Sequence, residues 1–396
     1  MRHRIMSNSW LRVFWFVSAL LMGGFIGSVS AVEYSTTAQI EGGFETDNNV
    51  RLVADDEDSV TGFHLSPRFT GKARTPTLNA QLSLDLDSYR FDDSNFDTDD
   101  QDLILRLKRQ LQTSEIGVTG GWKRDSTLTS ELEDTGRVTD SAVRREDASV
   151  APYWQHVLDQ RNDLRVDVNY HDVTYGADNF SDYEVISTTV AWLHELNERT
   201  GLQLQLYASN YEADSFLQAE SDSYGLRGGF ETALTERLQL NVLVGASRVE
   251  TSYHSILANG SDERDTATFV DSSLNYSSER SRWDVHFSSD ATPSGDGLLS
   301  VNNRISTSWV YQLSQRLEST LRALYGENEA LDDRINNKRD YTNFEASMLY
   351  QLTQELDFIA RYRHREQDYE NRSGSADSDA LFLTLHYSPD GVRWSR

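Results

Sequence analysis

The phrase LTERLQLNVLVGA (residues 234–246) opens with a polar turn and then alternates, Leu243 apart. Leu238, Leu240, Val242 and Val244 fall on one parity, and Gln239, Asn241 and Gly245 on the other. Near-copies begin at Leu158, Leu196, Leu313 and Leu352. A period of two puts successive side chains on opposite faces of a strand, so each copy reads as a tight turn entering a strand with one apolar face. The same alternation runs from end to end of the chain, and helical spacing hardly appears. About eighteen strands are expected, give or take roughly two.

The connections constrain the fold further. One set is short, as in RTPT at Arg74, QTSE at Gln112, LNERT at Leu196, LTER at Leu234 and LTQE at Leu352. The other is long and polar, as in ETDNNVRLVADDEDS, NYEADSFLQAESDS and REQDYENRSGSADSD. The two sets alternate strictly. Tight turns at one end and long loops at the other describe a transmembrane up-and-down antiparallel β-barrel, with short periplasmic turns and long extracellular loops. Lipid offers no hydrogen-bond partner, so strands can cross a bilayer only in a sheet that closes on itself. The apolar parity then faces hydrocarbon and the polar parity faces the interior. Trp122, Tyr170, Trp192, Tyr325, Tyr350 and Tyr387 are expected at the two interfacial girdles. A secreted β-sandwich is the alternative, but it has no reason to keep its short turns on one side. A solenoid fits less well, because the turn phrase recurs at the spacing of a two-strand hairpin.

Residues 1–31 differ from the rest. Arg2, Arg4 and Arg12 precede VFWFVSALLMGGFIG, and SVSA ends at Ala31, which is the pattern of a cleaved signal peptide. The segment holds three of the 37 basic residues and none of the 63 acidic ones, so residues 32–396 carry 34 against 63, a formal charge of −29. Nucleic acid is excluded as a partner, since binding it requires clustered Lys and Arg. There is no cysteine, which removes thiol and Cys-metal chemistry. Apolar residues make up 38% of the chain. That is low for a globular chain of this size and natural for one whose apolar face points outward.

GGFETDNNVRL (residues 42–52) and SSDATPSGDGLLSVNNRIS (residues 288–306) resemble segments of a family of bacterial outer-membrane β-barrel porins, some of which accompany exopolysaccharide synthesis and export. The first is similar to that family's opening strand and its Asp-Asn-rich loop, the second to a late Pro-Ser-Gly loop. The resemblance implies a barrel over residues 32–396, with residues 388–396 as a short tail, and a role in envelope transport. It implies no catalytic residue. Such barrels often end on an aromatic residue read by the barrel-assembly machinery; here the final strand ALFLTLHY ends at Tyr387, ahead of SPDGVRWSR.

Charged residues on the polar parity are the candidate site. On the strand from Leu356, Asp357, Arg361, Arg363 and Arg365 are expected to point inward; Arg106, Lys108, Arg165, Asp167, Arg227, Arg282, Asp284, Arg304, Glu318 and Arg322 share that parity elsewhere. Such a lining can select solutes, or lock into ion pairs that brace or block the wall. The acidic runs ADDEDS (54–59) and FDDSNFDTDDQD (91–102) lack the Gly and closing Glu of a calcium loop and read as solvated tips. His64, His156, His171, His194, His254, His286, His364 and His386 show no metal spacing, and no GxSxG or phosphate loop is present. The expectation is a bacterial outer-membrane channel for saccharides or an exported polysaccharide. Its partners would be membrane lipid, lipopolysaccharide, the assembly machinery and export components; no cofactor is needed and no enzymatic activity is expected. A closed structural or adhesive barrel is the alternative, and a membrane-embedded hydrolase a weaker one.

Overall fold

The computed structural model describes residues 32–131, 142–214, 219–253, 261–331, 338–370 and 374–395; the export segment 1–31 and His254 lie outside the described residues. The strands are β1 (Glu33–Asp47), β2 (Val60–Arg74), β3 (Leu78–Phe91), β4 (Thr98–Gln110), β5 (Ser114–Ser126), β6 (Arg144–Val157), β7 (Asn162–Tyr175), β8 (Asp182–Asn197) and β9 (Thr200–Asp214). They continue as β10 (Ala219–Thr235), β11 (Leu238–Tyr253), β12 (Ser261–Ser277), β13 (Ser281–Pro293), β14 (Leu299–Gln312), β15 (Leu317–Ala330), β16 (Arg339–Gln351), β17 (Leu356–Tyr369), β18 (Ala376–Tyr387) and the short β19 (Val392–Ser395). Each of β1 to β18 pairs antiparallel with its chain neighbours, and β18 returns to pair with β1 from Ile40↔Tyr387 to Asp47↔Ala380. The eighteen-strand ring is closed.

Sequence parity sets which way each side chain faces. In β18, Leu381, Leu383, Leu385 and Tyr387 lie on the outer wall, while Ser378, Ala380, Phe382 and Thr384 are buried on the inner one. In β2, Phe63, Leu65 and Phe69 face out and His64 faces in. The described strands form one closed sheet whose outer wall no second sheet among the described residues covers, so the sandwich alternative falls. Trp154, Trp192, Trp283, Trp309, Tyr350 and Tyr387 ring the outside near the short turns. Phe63, Tyr224, Tyr325 and Tyr362, with Trp122 and Tyr170 on the same parity, ring it toward the other rim. Both chain ends of the barrel, at β1 and β18, lie at the short-turn rim, as an even strand number requires. A closed antiparallel ring that is apolar outside, polar inside and aromatic at both interfaces is the architecture of the bacterial outer membrane, where this chain resides.

Following the register once around the ring displaces the path by about 22 residues along β1, which sets a strand tilt of about 40° and a backbone radius of about 18 Å. Side chains cannot fill such a ring, so its centre is water or infolded chain.

Three details go beyond the sequence reading. Much of the chain assigned to long loops is strand: β9 runs to Asp214 and β10 starts at Ala219, leaving a connection of residues 215–218. Strands of 12 to 17 residues exceed the roughly 9–11 needed to cross a bilayer, so their upper parts stand clear of lipid. There both faces can be polar and the alternation fades while ladder pairing continues. Second, Pro67 and Pro152 sit inside strands. Ser66–Pro67 has no partner on β3, and Ala151–Pro152 none on β7, because proline brings no N–H to the ladder. Third, the tail folds back on the barrel. Its β19 pairs with Glu33–Thr36 below the point where β18 ends, and Trp394 stacks on Tyr34 at 5.4 Å. It covers an edge of β1 that would otherwise be open.

Candidate functional site

Among the described residues, the lumen holds three inward turns of chain. The first follows β1. Asp47 Oδ2 accepts from Arg363 (3.0 Å) and Arg365 (2.9 Å), and its Oδ1 accepts from Ser378 Oγ (2.7 Å) and the Asn49 amide (2.9 Å). Arg365 also reaches the Asn49 and Val50 carbonyls, Gln367 donates to the Leu52 carbonyl, and Asn49 Nδ2 donates to the carbonyls of Val53 and Asp377. Residues 49–53 are thereby laid against the inner wall of β16 to β18. Leu52 is fully buried against Tyr341 and Ala376 although its φ of 53° is left-handed, a conformation that costs a β-carbon-bearing residue on the order of 1 kcal/mol. Packing and the arginine clamp hold it there. Residues 54–57 emerge exposed, as expected of the ADDEDS run.

The second turn is residues 126–131, where Glu131 is buried between Arg145 (3.5 Å) and the Tyr175 hydroxyl. The third is the β13–β14 tip, residues 294–298. The Gly295 carbonyl accepts from the Ser181 amide (2.9 Å), and Leu299 packs on the inner cluster of Val173, Tyr183, Tyr211 and Ala213. β13 thus reaches across to the inner faces of β7 to β9. The first and third turns are the two segments that carried the family resemblance.

The inner wall differs around the ring. Between their ends, β8, β9 and β11 present no charge, and the intervening β10 adds Arg227 and Glu231; Ser187, Thr189, Gln203, Gln205, Gln239 and Asn241 face in, with Gln205 donating to Gln203 and Gln203 donating to Asn241. The opposite side, β17 and β1 to β3, is dense in charge. Here a recess of about 170 Å³ is lined by residues including Glu41, Glu45, His64, Asp87, Tyr89 and Arg361. His64 fits because its neighbour is Gly43. A β-carbon there would come within 2.7 Å of the imidazole and 2.6 Å of the Leu383 carbonyl. Tyr153 lies over Gly117 in the same manner, which brings its hydroxyl to Glu115 at 2.7 Å.

All fourteen charged residues singled out from sequence fall on the inner parity, but they do not form one set. Arg106 and Lys108 project exposed from β4, with Lys108 on Glu115 (2.6 Å). Arg165 pairs with Asp167 (2.7 Å) and lies over the Tyr153 ring (4.7 Å). Arg227 is sandwiched by Tyr207 and Phe269, 3.7 Å from Asp290. Arg322 meets Glu345 (3.6 Å) on β16 rather than Glu318, and Asp357 meets His386 (3.5 Å). The arginines of β17 divide. Arg361 lies over Phe382 (4.1 Å) at the recess, Arg363 is half-buried, and Arg365 is 4% exposed beneath residues 49–53. Arg365 is therefore a clamp and not a lining group, because infolded chain covers it. The FDDSNFDTDDQD run is also partly used by the backbone: Asp92 accepts from the Thr61 amide, Asp93 caps Asn95, and Asp97 accepts from the Phe91 amide.

Sequence reasoning missed Asp47, Asn49, Gln367 and Ser378. Asp47 and Asn49 lie within GGFETDNNVRL, yet nothing in alternation says that a polar loop turns inward.

No protein-family profile and no curated protein sequence matches the chain. Among solved structures it is similar to OccK5 (OpdH) of Pseudomonas aeruginosa, with 12% identity, 90% of this chain and 98% of that chain covered, and a TM-score of 0.46. It is similar to OccAB4 of Acinetobacter baumannii, with 11% identity, 92% and 98% coverage, and a TM-score of 0.47. A bacterial polysaccharide outer membrane secretin is more distant, with 8% identity, 89% and 98% coverage, and a TM-score of 0.36. None of these likenesses assigns a role to a residue of this chain.

Proposed function

We propose that the barrel is a passive channel for small hydrophilic solutes, with saccharides as the class its lining fits. One observation carries the reading: a closed ring with a backbone radius of about 18 Å has a polar inner wall that side chains alone cannot fill. The three infolded turns narrow this space and make it selective. Neutral amides and hydroxyls on β8, β9 and β11 offer a sugar's hydroxyls both donors and acceptors, without the desolvation a charged wall would impose. Whether the saccharide is taken up or is an exported polymer depends on partners at either rim, for which export components are the candidates.

The test is insertion of purified protein into a planar bilayer. Stable conductance steps, blocked in part by oligosaccharide, are expected. Insertion without conductance would favour the second reading, a closed structural barrel, which the buried Asp47–Arg365 clamp supports.

A further inference from the structure

We propose that the recess between β1, β2, β3 and β17 is a binding subsite for one uncharged hexopyranose unit. It deepens the channel reading, on which it relies for its place in a passage. Three features carry it. The recess is about 170 Å³, on the scale of one pyranose ring with its hydroxyls, and its Glu45 stands two residues before Asp47, the acceptor that clamps the inward turn. Its lining mixes acceptor carboxylates (Glu41, Glu45, Asp87), a donor guanidinium (Arg361) and an aromatic ring (Tyr89), the set that holds vicinal hydroxyls by paired hydrogen bonds and a sugar face by packing. Within it, His64 is 8% exposed and its Nδ1 has no hydrogen-bond partner, with Glu41 and Glu45 each 3.8 Å from the ring nitrogens, beyond bonding distance. A ring nitrogen buried without a partner costs free energy, which a turn of the imidazole toward a ligand hydroxyl would recover.

The charge pattern selects among sugars. Three carboxylates face one arginine not committed elsewhere, since Arg68 at the recess rim is held by Asp85 at 2.7 Å. A uronate would meet net repulsion. A divalent ion is not the better occupant, because among the described residues no three ligating groups converge on a common point.

The test uses the folded full-length barrel in detergent, titrated with methyl α-D-glucopyranoside and, separately, with glucuronate, read by saturation-transfer NMR. Saturable binding of the glucoside is expected, with glucuronate at least about tenfold weaker. Asp87→Asn and Glu45→Gln should each weaken the glucoside about tenfold, the loss of one charge-assisted hydrogen bond, with heat-shifted gel mobility confirming that each variant is folded. No saturable binding by the native barrel, equal binding by folded variants, or preference for glucuronate would each overturn the proposal. Bilayer recordings separate the two readings. A barrel that conducts but does not bind the glucoside sinks the subsite alone. One that binds it but never conducts sinks the channel alone.

Discussion

Asp47→Ala tests whether residues 49–53 are clamped into the lumen by charge. The substitution removes the acceptor of four hydrogen bonds, two of them from Arg363 and Arg365. With side chains 3% and 5% exposed, the Asp47–Arg365 pair is buried, and stranding one partner of such a pair costs about 3–5 kcal/mol. The ring need not bear that cost, because Arg365 regains water if the segment swings out. At about 1.4 kcal/mol per decade, the released state then gains roughly two to three and a half orders of magnitude over the clamped one. The effect on the passage follows from size. A backbone radius of about 18 Å less about 6 Å of side chain leaves a free section of roughly 450 Å², and a chain entering and returning at about 10 Å width takes about a third of it. Release should therefore raise single-channel conductance by at least about one-half, with added open-state noise. Gln367→Ala, which loses only the bond to the Leu52 carbonyl, should give a smaller rise. A folded Asp47→Ala barrel with native conductance and native noise would refute the clamp.

Four further outcomes are expected. Arg361→Ala should move the reversal potential toward cation selectivity, because it removes a lumen cation beside Glu41, Glu45 and Asp87, while Arg365→Met should leave selectivity alone and change noise instead. Leu206→Arg, which puts a charge on the lipid face, should destabilise the barrel by about 2–4 kcal/mol in urea unfolding. The adjacent Gln205→Arg, on the inner face, should stay within about 0.5 kcal/mol, and equal effects would undo the assignment of faces. Truncation after Ser388 removes β19 and the Tyr34–Trp394 stack, and should lower the temperature of the heat-induced mobility shift without abolishing assembly. In the periplasmic turn, the Arg161 backbone amide and the Asn162 side chain hold the Asp159 carboxyl below its ordinary range. Its folded value is depressed, so its contribution is present above the usual carboxylate range and lost as pH falls through the lowered value. The protection of the Arg161 amide, measured against its intrinsic exchange rate at each pH, should be lost only in acid.

The wall was legible in the sequence and the interior was not. Alternation at Leu238, Leu240, Val242 and Val244 reports one fact, which face meets hydrocarbon, and every strand obeys it because lipid tolerates no exception. It also fixed the short turns and the final strand ending at Tyr387. Above the bilayer that constraint stops, and the paired stretches around Tyr211 and Ser221 read as loop. Parity placed Arg361, Arg363 and Arg365 on the inner face but could not separate them. The distinction between a lining group and a clamp depends on Asp47, more than 300 positions away in the chain and brought alongside only by closure of the ring. Loop infolding follows no period at all. It depends on single matched partners, as Leu52 with Tyr341 and Gly295 with Ser181.

The division of the inner wall gives the infolded turns a purpose beyond narrowing. The sparsely charged inner wall of β8 to β11 stands across the ring from the charged faces of β17 and β1 to β3. A solute centred in an open ring with a backbone radius of about 18 Å would be separated from both walls by several layers of water and would sense neither. Residues 49–53 are fixed to the charged wall, and residues 294–298 reach toward the sparsely charged one. Together they take up the middle of the section and bring a passing solute against wall residues. An ion drawn to the recess would leave favourable partners on one side only. A neutral polyol can exchange hydrogen bonds with both, which is why a sugar and not an inorganic ion should show the steepest dependence of flux on Asp47.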